Sequence, residues 1–377
     1  MPHSLQYIFS AFFVATVHAA VTQRSTSTSS SSDVAAYQAF RSRHGRSEVE
    51  GSSDYDMRLK VFSKRRAQIE AQNARPDKTW WAGLNKFADM SDAEYRAMLG
   101  YRRMTSVEAR RSPIMRGASL MEVDDDESLA EGKDYASFLN SSHFMREQGS
   151  CGSCWAVAAV GALEMHAELQ HKVTSATKLS FKHMLDCTPN PKHCGGNGGC
   201  SGATAELAFG FAASNGIVSE EEYKDGDEDG KCQQFTHQAL KTQGFVKLEE
   251  NKLQPLMHAL AFEGPIVVSV DAEPWTIYTR GVFNGCKQDA TVNHAVLLVG
   301  YGTDGSEDYW KIRNSWGPDW GENGFMRIKR HGSDEGLDGW CGTDKDPKVG
   351  VGCDDSPKEL PVCGMCGILS DSSYPKM

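Results

Sequence analysis

The sequence predicts an α+β fold: a helical lobe, then a β-rich lobe, with a cleft between them and a separate helical segment upstream. Three observations predict it. From about Lys133 to Met377, helix-period apolar runs fill the first half, and short β-branched runs punctuated by Gly, Asp and Pro fill the second. Upstream, residues 33–100 repeat apolar positions at intervals of three and four. The 377 residues, 40% of them hydrophobic, are too many for one modest domain and enough to build a core in each of two or three units.

The elements follow in chain order. Residues 1–20 carry an apolar stretch from Tyr7 to Val17 and then the small residues Ala19 and Ala20, the pattern of a secretory signal. That stretch is too short to span a bilayer, although its leading end holds only His3 as a basic group, which keeps a membrane anchor as the alternative. No later segment reads as transmembrane. Residues 21–32 form a Ser/Thr-rich spacer with nothing to bury. In residues 33–100, Tyr55, Leu59, Phe62 and Ile69 fall along one helical face. Gly83 opens a strand-like piece, and Ser91 with Glu94 three residues on marks a helix start. Residues 101–132 lose all periodicity and form an exposed connector, open to proteolysis, in which MEVDDDE is a solvated charge run.

Within residues 133–377, helices are expected over Trp155 to Leu169, LSFKHMLD and ATAELAFGFAASNG, the last stopped by Gly216. Strands are expected at PIVVSVDA, NHAVLLVGYG, DYWKIRNSW and GFMRIKR. The formal net charge of −10 excludes a phosphate-binding surface, so no nucleic-acid partner is expected. All eleven cysteines lie between Cys151 and Cys366, and an odd number in an oxidising compartment leaves at least one thiol unpaired, either reactive or buried and inert.

QGSCGSCWAVAAVGALE separates two of those cysteines. Cys154 stands immediately before an alanine-rich helix, where the positive end of the dipole stabilises a thiolate, whereas Cys151 lies a turn earlier, outside the helix. CGSCW, with Gln148 six residues before Cys154, resembles the active-site segment of the papain-like cysteine peptidases. That pattern calls for His and Asn about 130 to 150 residues on; His294 follows Cys154 by about 140 residues and Asn314 by about 160. The resemblance implies the papain-like two-lobe fold with a β-barrel-like second lobe. It implies attack by the Cys154 thiolate, an ion pair with and proton donation by His294, and orientation of His294 by Asn314. Gln148 and the Cys154 N–H would form an oxyanion hole, and Trp316 would cover the His294 and Asn314 contact. No cofactor or metal is implied.

Upstream, Asp54, Arg58, Phe62, Arg65, Ile69 and Asn73 fall at the spacing of the ERFNIN helix of cathepsin L-like propeptides, and Gly83, Asn85, Phe87 and Asp89 match the GNFD motif. Asp54 and Arg65 depart from the usual Glu and Asn. Residues 33–100 would then be an inhibitory domain, with the activating cut between Arg116 and Lys133. The resemblance also implies the pairs Cys151 with Cys200, Cys187 with Cys232, and Cys286 with Cys366. Cys194, Cys341, Cys353 and Cys363 stay unassigned; they fit two further disulfides or a zinc site, and two of them lie in an unusual Cys-rich insert over about 331–362.

Substrate-binding positions implied by the family are Gly152, Gly202, Ala203, Val292, Ala295, Trp316 and Asp371. Asp371 would form the floor of the pocket for the second residue before the scissile bond and accept basic as well as apolar side chains; its alternative is to face solvent. Ala203 replaces the second glycine of the family's Gly-Gly pair. Asn140, in NSS, is a glycosylation acceptor. The implied function is a secreted or lysosome/vacuole-targeted cysteine endopeptidase made as a zymogen. The alternatives are an exopeptidase whose insert restricts the cleft, an acyl transferase, and an inactive binding homologue. Partners would be polypeptide substrates, the protein's own propeptide and protein inhibitors of cysteine peptidases.

Overall fold

Two helices that cannot bury their apolar faces alone begin the fold. In the computed structural model, which describes residues 31–100, 118–119, 129–172, 177–226, 228–350 and 352–377, α1 (Ser31–His44) packs on α2 (Ser53–Ala74). Tyr37, Phe40, Tyr55, Leu59 and Phe62 close a small core with Ala88. Ser52 caps α2 by accepting from the Tyr55 N–H. Strand β1 (Trp80–Ala82) and helix α3 (Asp92–Ala97) follow, and α3 starts on the expected capping box of Ser91 and Glu94. Gly83 ends β1 rather than opening a strand. Its N–H donates to Ile277 O at 2.9 Å, and a Cβ there would fall 2.7 Å from Thr279 Cγ2, so contact with the β lobe sets the chain's path. The departure at Arg65 has a structural reason: its guanidinium is buried and meets Asp92 at 2.6 Å, tying α2 to α3.

After β2 (Ala118–Ser119) and β3 (Lys133–Asp134), the helical lobe is built around α4 (Cys154–Leu169). Its alanines favour helix, its apolar residues run all round, and residues from Cys154 to Ala167 are buried; a helix with no polar face belongs inside a core. Helices α5 (Phe181–Cys187) and α6 (Ala205–Asn215) lie beside it. The second ends at Gly216, whose φ of +76° suits glycine.

The β lobe comprises β4 (Gly244–Lys247), the short helix α7 (Leu253–His258), β5 (Ile266–Val270), β6 (Tyr278–Phe283), β7 (His294–Asp304), β8 (Glu307–Arg313), β9 (Phe325–Lys329), β10 (Gly342–Asp344), β11 (Leu360–Val362) and β12 (Ser372–Lys376). Ten strands form one sheet in the order β1-β6-β9-β8-β7-β5-β12-β4-β2, with β3 also on β7. The upstream segment is thus part of the sheet: β1 pairs antiparallel with β6, Trp80 opposite Gly281. Antiparallel pairing of β7 with β8 sets Leu297 opposite Arg313, which brings His294 at the start of β7 close to Asn314 just past β8.

Five disulfides link Cys151 to Cys200, Cys187 to Cys232, Cys286 to Cys366, Cys194 to Cys353, and Cys341 to Cys363. The last two occupy the four cysteines the sequence left open, so no thiolate remains there for zinc. Cys154 is the free cysteine. No helix among the described residues is long and apolar enough to cross a membrane. The signal at residues 1–20 and the cut between Arg116 and Lys133 lie in or border stretches outside the described residues.

Candidate active site

Cys154 opens α4, and the backbone N–H groups of Ala295 and Trp155 favour its thiolate. Burial outweighs them and pushes the thiol up to about 11. His294, one residue from Ala295, shares the same hollow with Cys154. Its Nε2 lies 2.8 Å from Asn314 Oδ1. An amide oxygen only accepts, so Nε2 carries the proton and Nδ1 is the basic nitrogen. Nδ1 has no hydrogen-bond partner, and burial lowers this imidazole to about 4. The Ser315 N–H donates to the same Asn314 oxygen at 2.8 Å, fixing the amide. Trp316 stacks on His294 with centroids 4.9 Å apart, shielding the contact.

Gln148 is fully buried and held by Ser315, whose Oγ donates to its Oε1. Its Nε2 donates to Cys151 O at 2.8 Å and to Met98 O at 2.7 Å. The upstream segment therefore places a carbonyl on the side chain assigned to the oxyanion hole. Gly100 follows through the cleft: a Cβ on it would lie 3.0 Å from Cys154 Sγ, one on Gly152 would lie 2.7 Å from Gly100 Cα, and one on Gly202 only 1.5 Å from Gly100 O. Glycine at 152 and 202 lets a backbone lie this close. Leu99 is buried in the hollow lined by Ala203, Ala205, Ser269 and Ala295, leaving about 20 Å³.

The segment is anchored beyond Trp316. Phe87 and Tyr95 meet that ring edge-on at 5.2 and 5.6 Å, and Tyr95 donates to Ala272 O at 2.7 Å. Lys86 donates to Trp316 O at 2.8 Å and pairs with Glu147, while Arg96 Nε reaches Glu273 at 3.0 Å.

The structure gives two of the expected substrate-pocket residues partners of their own. Asp371 offers no free carboxylate: Oδ1 meets Lys247 Nζ at 3.0 Å, and Oδ2 accepts from Ser269 Oγ at 2.7 Å. Burial alone would raise this carboxyl, but Lys247 and Ser269 hold it below its usual range. Beside it, burial pushes the Glu206 carboxyl up to about 7, with Asp371 adding to the effect, and Glu206 is hydrogen-bonded to Asp371. Val292 packs with Ala290 and Val362, while Ala203 and Ala295 line the hollow. Lys247, Glu206, Met98 and Leu99 were invisible as site residues, since no spacing rule links them to Cys154. Asn140 is exposed at the start of a single helical turn, Asn140–His143.

A buried thiol at a helix start, an imidazole held by an amide, and a segment of the same chain lying over both meet in one closed cleft. Residues 133–351 match the papain family cysteine protease, and residues 37–95 match the cathepsin propeptide inhibitor domain. The chain belongs to the papain family of cysteine proteases. It is 35% identical over 316 residues to cysteine protease 1 of Oryza sativa subsp. japonica, covering 79% of this chain and 61% of that protein. It is 34% identical over 286 residues to a cathepsin L-like protein of Caenorhabditis elegans, covering 72% and 80%. The chain spans about three fifths of the length of the rice protein. Digestive procathepsin L2 proteinase from Tenebrio molitor superposes with a TM-score of 0.73 at 26% identity, covering 92% of this chain and all of that one. The stem bromelain precursor superposes with a TM-score of 0.70 at 26% identity, covering 92% and 99%.

Proposed function

We propose that this chain is the zymogen of a secretory-pathway cysteine endopeptidase, destined for a lysosome or vacuole or for the exterior, that hydrolyses polypeptides through Cys154, His294, Asn314 and Gln148. The observation that carries the reading is the 2.8 Å contact of His294 Nε2 with Asn314, which leaves Nδ1 as the ring's free base in the hollow that holds the one unpaired sulfur. His294 Nδ1 takes the thiol proton, the thiolate adds to the scissile carbonyl, and His294 returns the proton to the leaving amine as the C–N bond breaks; water then cleaves the Cys154 thioester, releasing the acid and restoring the thiol. Gln148 Nε2, in the position now taken by Met98 O, donates to the oxyanion with the Cys154 N–H.

Polarity explains why the upstream segment is not cut. A substrate with its second residue at Ala203 runs from that pocket toward Trp316, whereas the segment enters over Trp316 at Phe87 and Tyr95 and leaves through Leu99 and Gly100. Secretion agrees with five disulfides and with Asn140 lying exposed for glycosylation. The test compares a long end-blocked peptide with a free-ended dipeptide substrate, using acid-matured protein and Cys154→Ala. Cleavage of the blocked peptide by the matured protein alone is the expected result. Cleavage of only the free-ended substrate would make it an exopeptidase, and equal turnover by Cys154→Ala would remove the catalytic assignment. Asn314→Ala should lower kcat about 10²-fold with KM nearly unchanged, since it disorients His294 without touching the pocket.

A further inference from the structure

The Cys-rich insert reaches the cleft although the catalytic residues do not require it. It is rooted in the β lobe: Trp340 Nε1 donates to Cys286 O at 3.2 Å, and the Thr343 N–H to Asp289 Oδ1 at 3.0 Å. Its far end is fastened to the helical lobe. Cys353 is bonded to Cys194, the Asp354 N–H donates to Lys192 O at 3.0 Å, and Asp355 meets Lys192 Nζ at 2.9 Å.

Between these anchors the insert crosses from one wall to the other. Gly350 presses on the β-lobe wall so closely that a Cβ would lie 1.6 Å from Val292 O. Gly352 O accepts from the Gly195 N–H at 3.1 Å on the helical-lobe wall, and Gly195 backs onto Ala203, where a Cβ would lie 2.6 Å from the Ala203 carbonyl oxygen. Gly350 and Gly195 line the same hollow as Cys154, His294, Ala203 and Ala295. Both contacts thus border the hollow that Leu99 also lines.

We propose that the insert is a strap that ends the substrate groove at this pocket, limiting recognition on the N-terminal side of the scissile bond to two residues. The proposal rests on the catalytic reading above. A peptide bound as an added strand needs main-chain partners along the groove edge, each successive residue advancing about 3.3 Å. Past Ala203 the neighbouring donor, the Gly195 N–H, already serves Gly352, and the strap occupies the path. Residues further upstream in the substrate turn out to solvent and add nothing to binding.

The test uses matured protein and two end-blocked fluorogenic peptides, a dipeptide and a tetrapeptide ending in the same two residues. For the wild type, kcat/KM is expected to agree within about twofold. For the double variant Cys194→Ser with Cys353→Ser, which releases the strap, the tetrapeptide should gain about fivefold over the dipeptide, the worth of one or two added hydrogen bonds. A wild-type preference for the tetrapeptide of that size overturns the proposal, as does a folded double variant that remains indifferent to length. Where the double variant does not fold, the wild-type ratio alone decides. Failure of the catalytic reading gives a different result, with neither peptide cut.

Discussion

Cys154 and His294 are both held in their uncharged forms by burial under the upstream segment. The thiol is pushed up to about 11 and the imidazole lowered to about 4, the reverse of what an ion pair needs. Uncovering the pair returns water and lets each charge stabilise the other. Alkylation of Cys154 by iodoacetamide at pH 7, followed by mass spectrometry, should therefore be about 100-fold faster in the matured protein than in the zymogen. Equal rates would mean the segment does not control the thiol. Lys247 makes a second residue-scale case. With it in place, Asp371 is neutralised and Leu99 shows the pocket accepting an apolar side chain. Lys247→Met should free the carboxylate and raise the kcat/KM ratio of Arg over Leu at the second substrate position about tenfold; an unchanged ratio would mean Asp371 does not face the pocket.

At the scale of elements, the upstream domain is closed by pairs between segments distant in sequence: Arg65 with Asp92, Arg58 with Glu94, and Arg46 with the buried Asp89. Burial would raise the Asp92 and Glu94 carboxyls, but Arg65 with Lys64, and Ser91 with Arg58, bring them below their usual range. A lowered carboxyl stabilises the fold above its unfolded value, and that contribution is lost as pH falls through the lowered value. On opening, the proton that Cys154 gives up is taken by His294, so that pair leaves the proton count unchanged and the pH dependence rests on the carboxyls. Amide exchange over residues 80–100 should quicken at least about tenfold between pH 7 and pH 3, beyond the change in intrinsic rate, and Arg65→Ala should move that transition to higher pH. Protection that holds at pH 3 would contradict this.

These elements also show why part of the molecule was legible from sequence and part was not. The α4 helix, the strands β5, β7, β8 and β9 and the Ser91 cap could all be read from local periods and capping, and Cys154, His294, Asn314 and Gln148, singled out by residue type and spacing, lie together in the fold. Gly83 was misread because a contact with Ile277, nearly 200 residues away, sets its path. Asp371 is paired with Lys247, a partner 124 residues away that no local pattern marks. The pairing of Cys194 with Cys353 was out of reach, since four cysteines allow three pairings and only the fold selects among them.

For the whole molecule, one sheet joins the upstream segment to the peptidase through β1 on β6, and a covalent strap joins the two lobes through Cys194 and Cys353. The first link lies in the segment that matches the cathepsin propeptide inhibitor domain; the second lies outside that segment. The central claim is that the one unpaired sulfur performs the reaction once the upstream domain is gone. The direct measurement is hydrolysis of an end-blocked fluorogenic peptide by matured protein during stepwise alkylation, with occupancy of Cys154 read by mass spectrometry. Activity is predicted to fall in proportion to occupancy and to reach zero at one adduct per chain; activity that survives full alkylation of Cys154 would contradict the account.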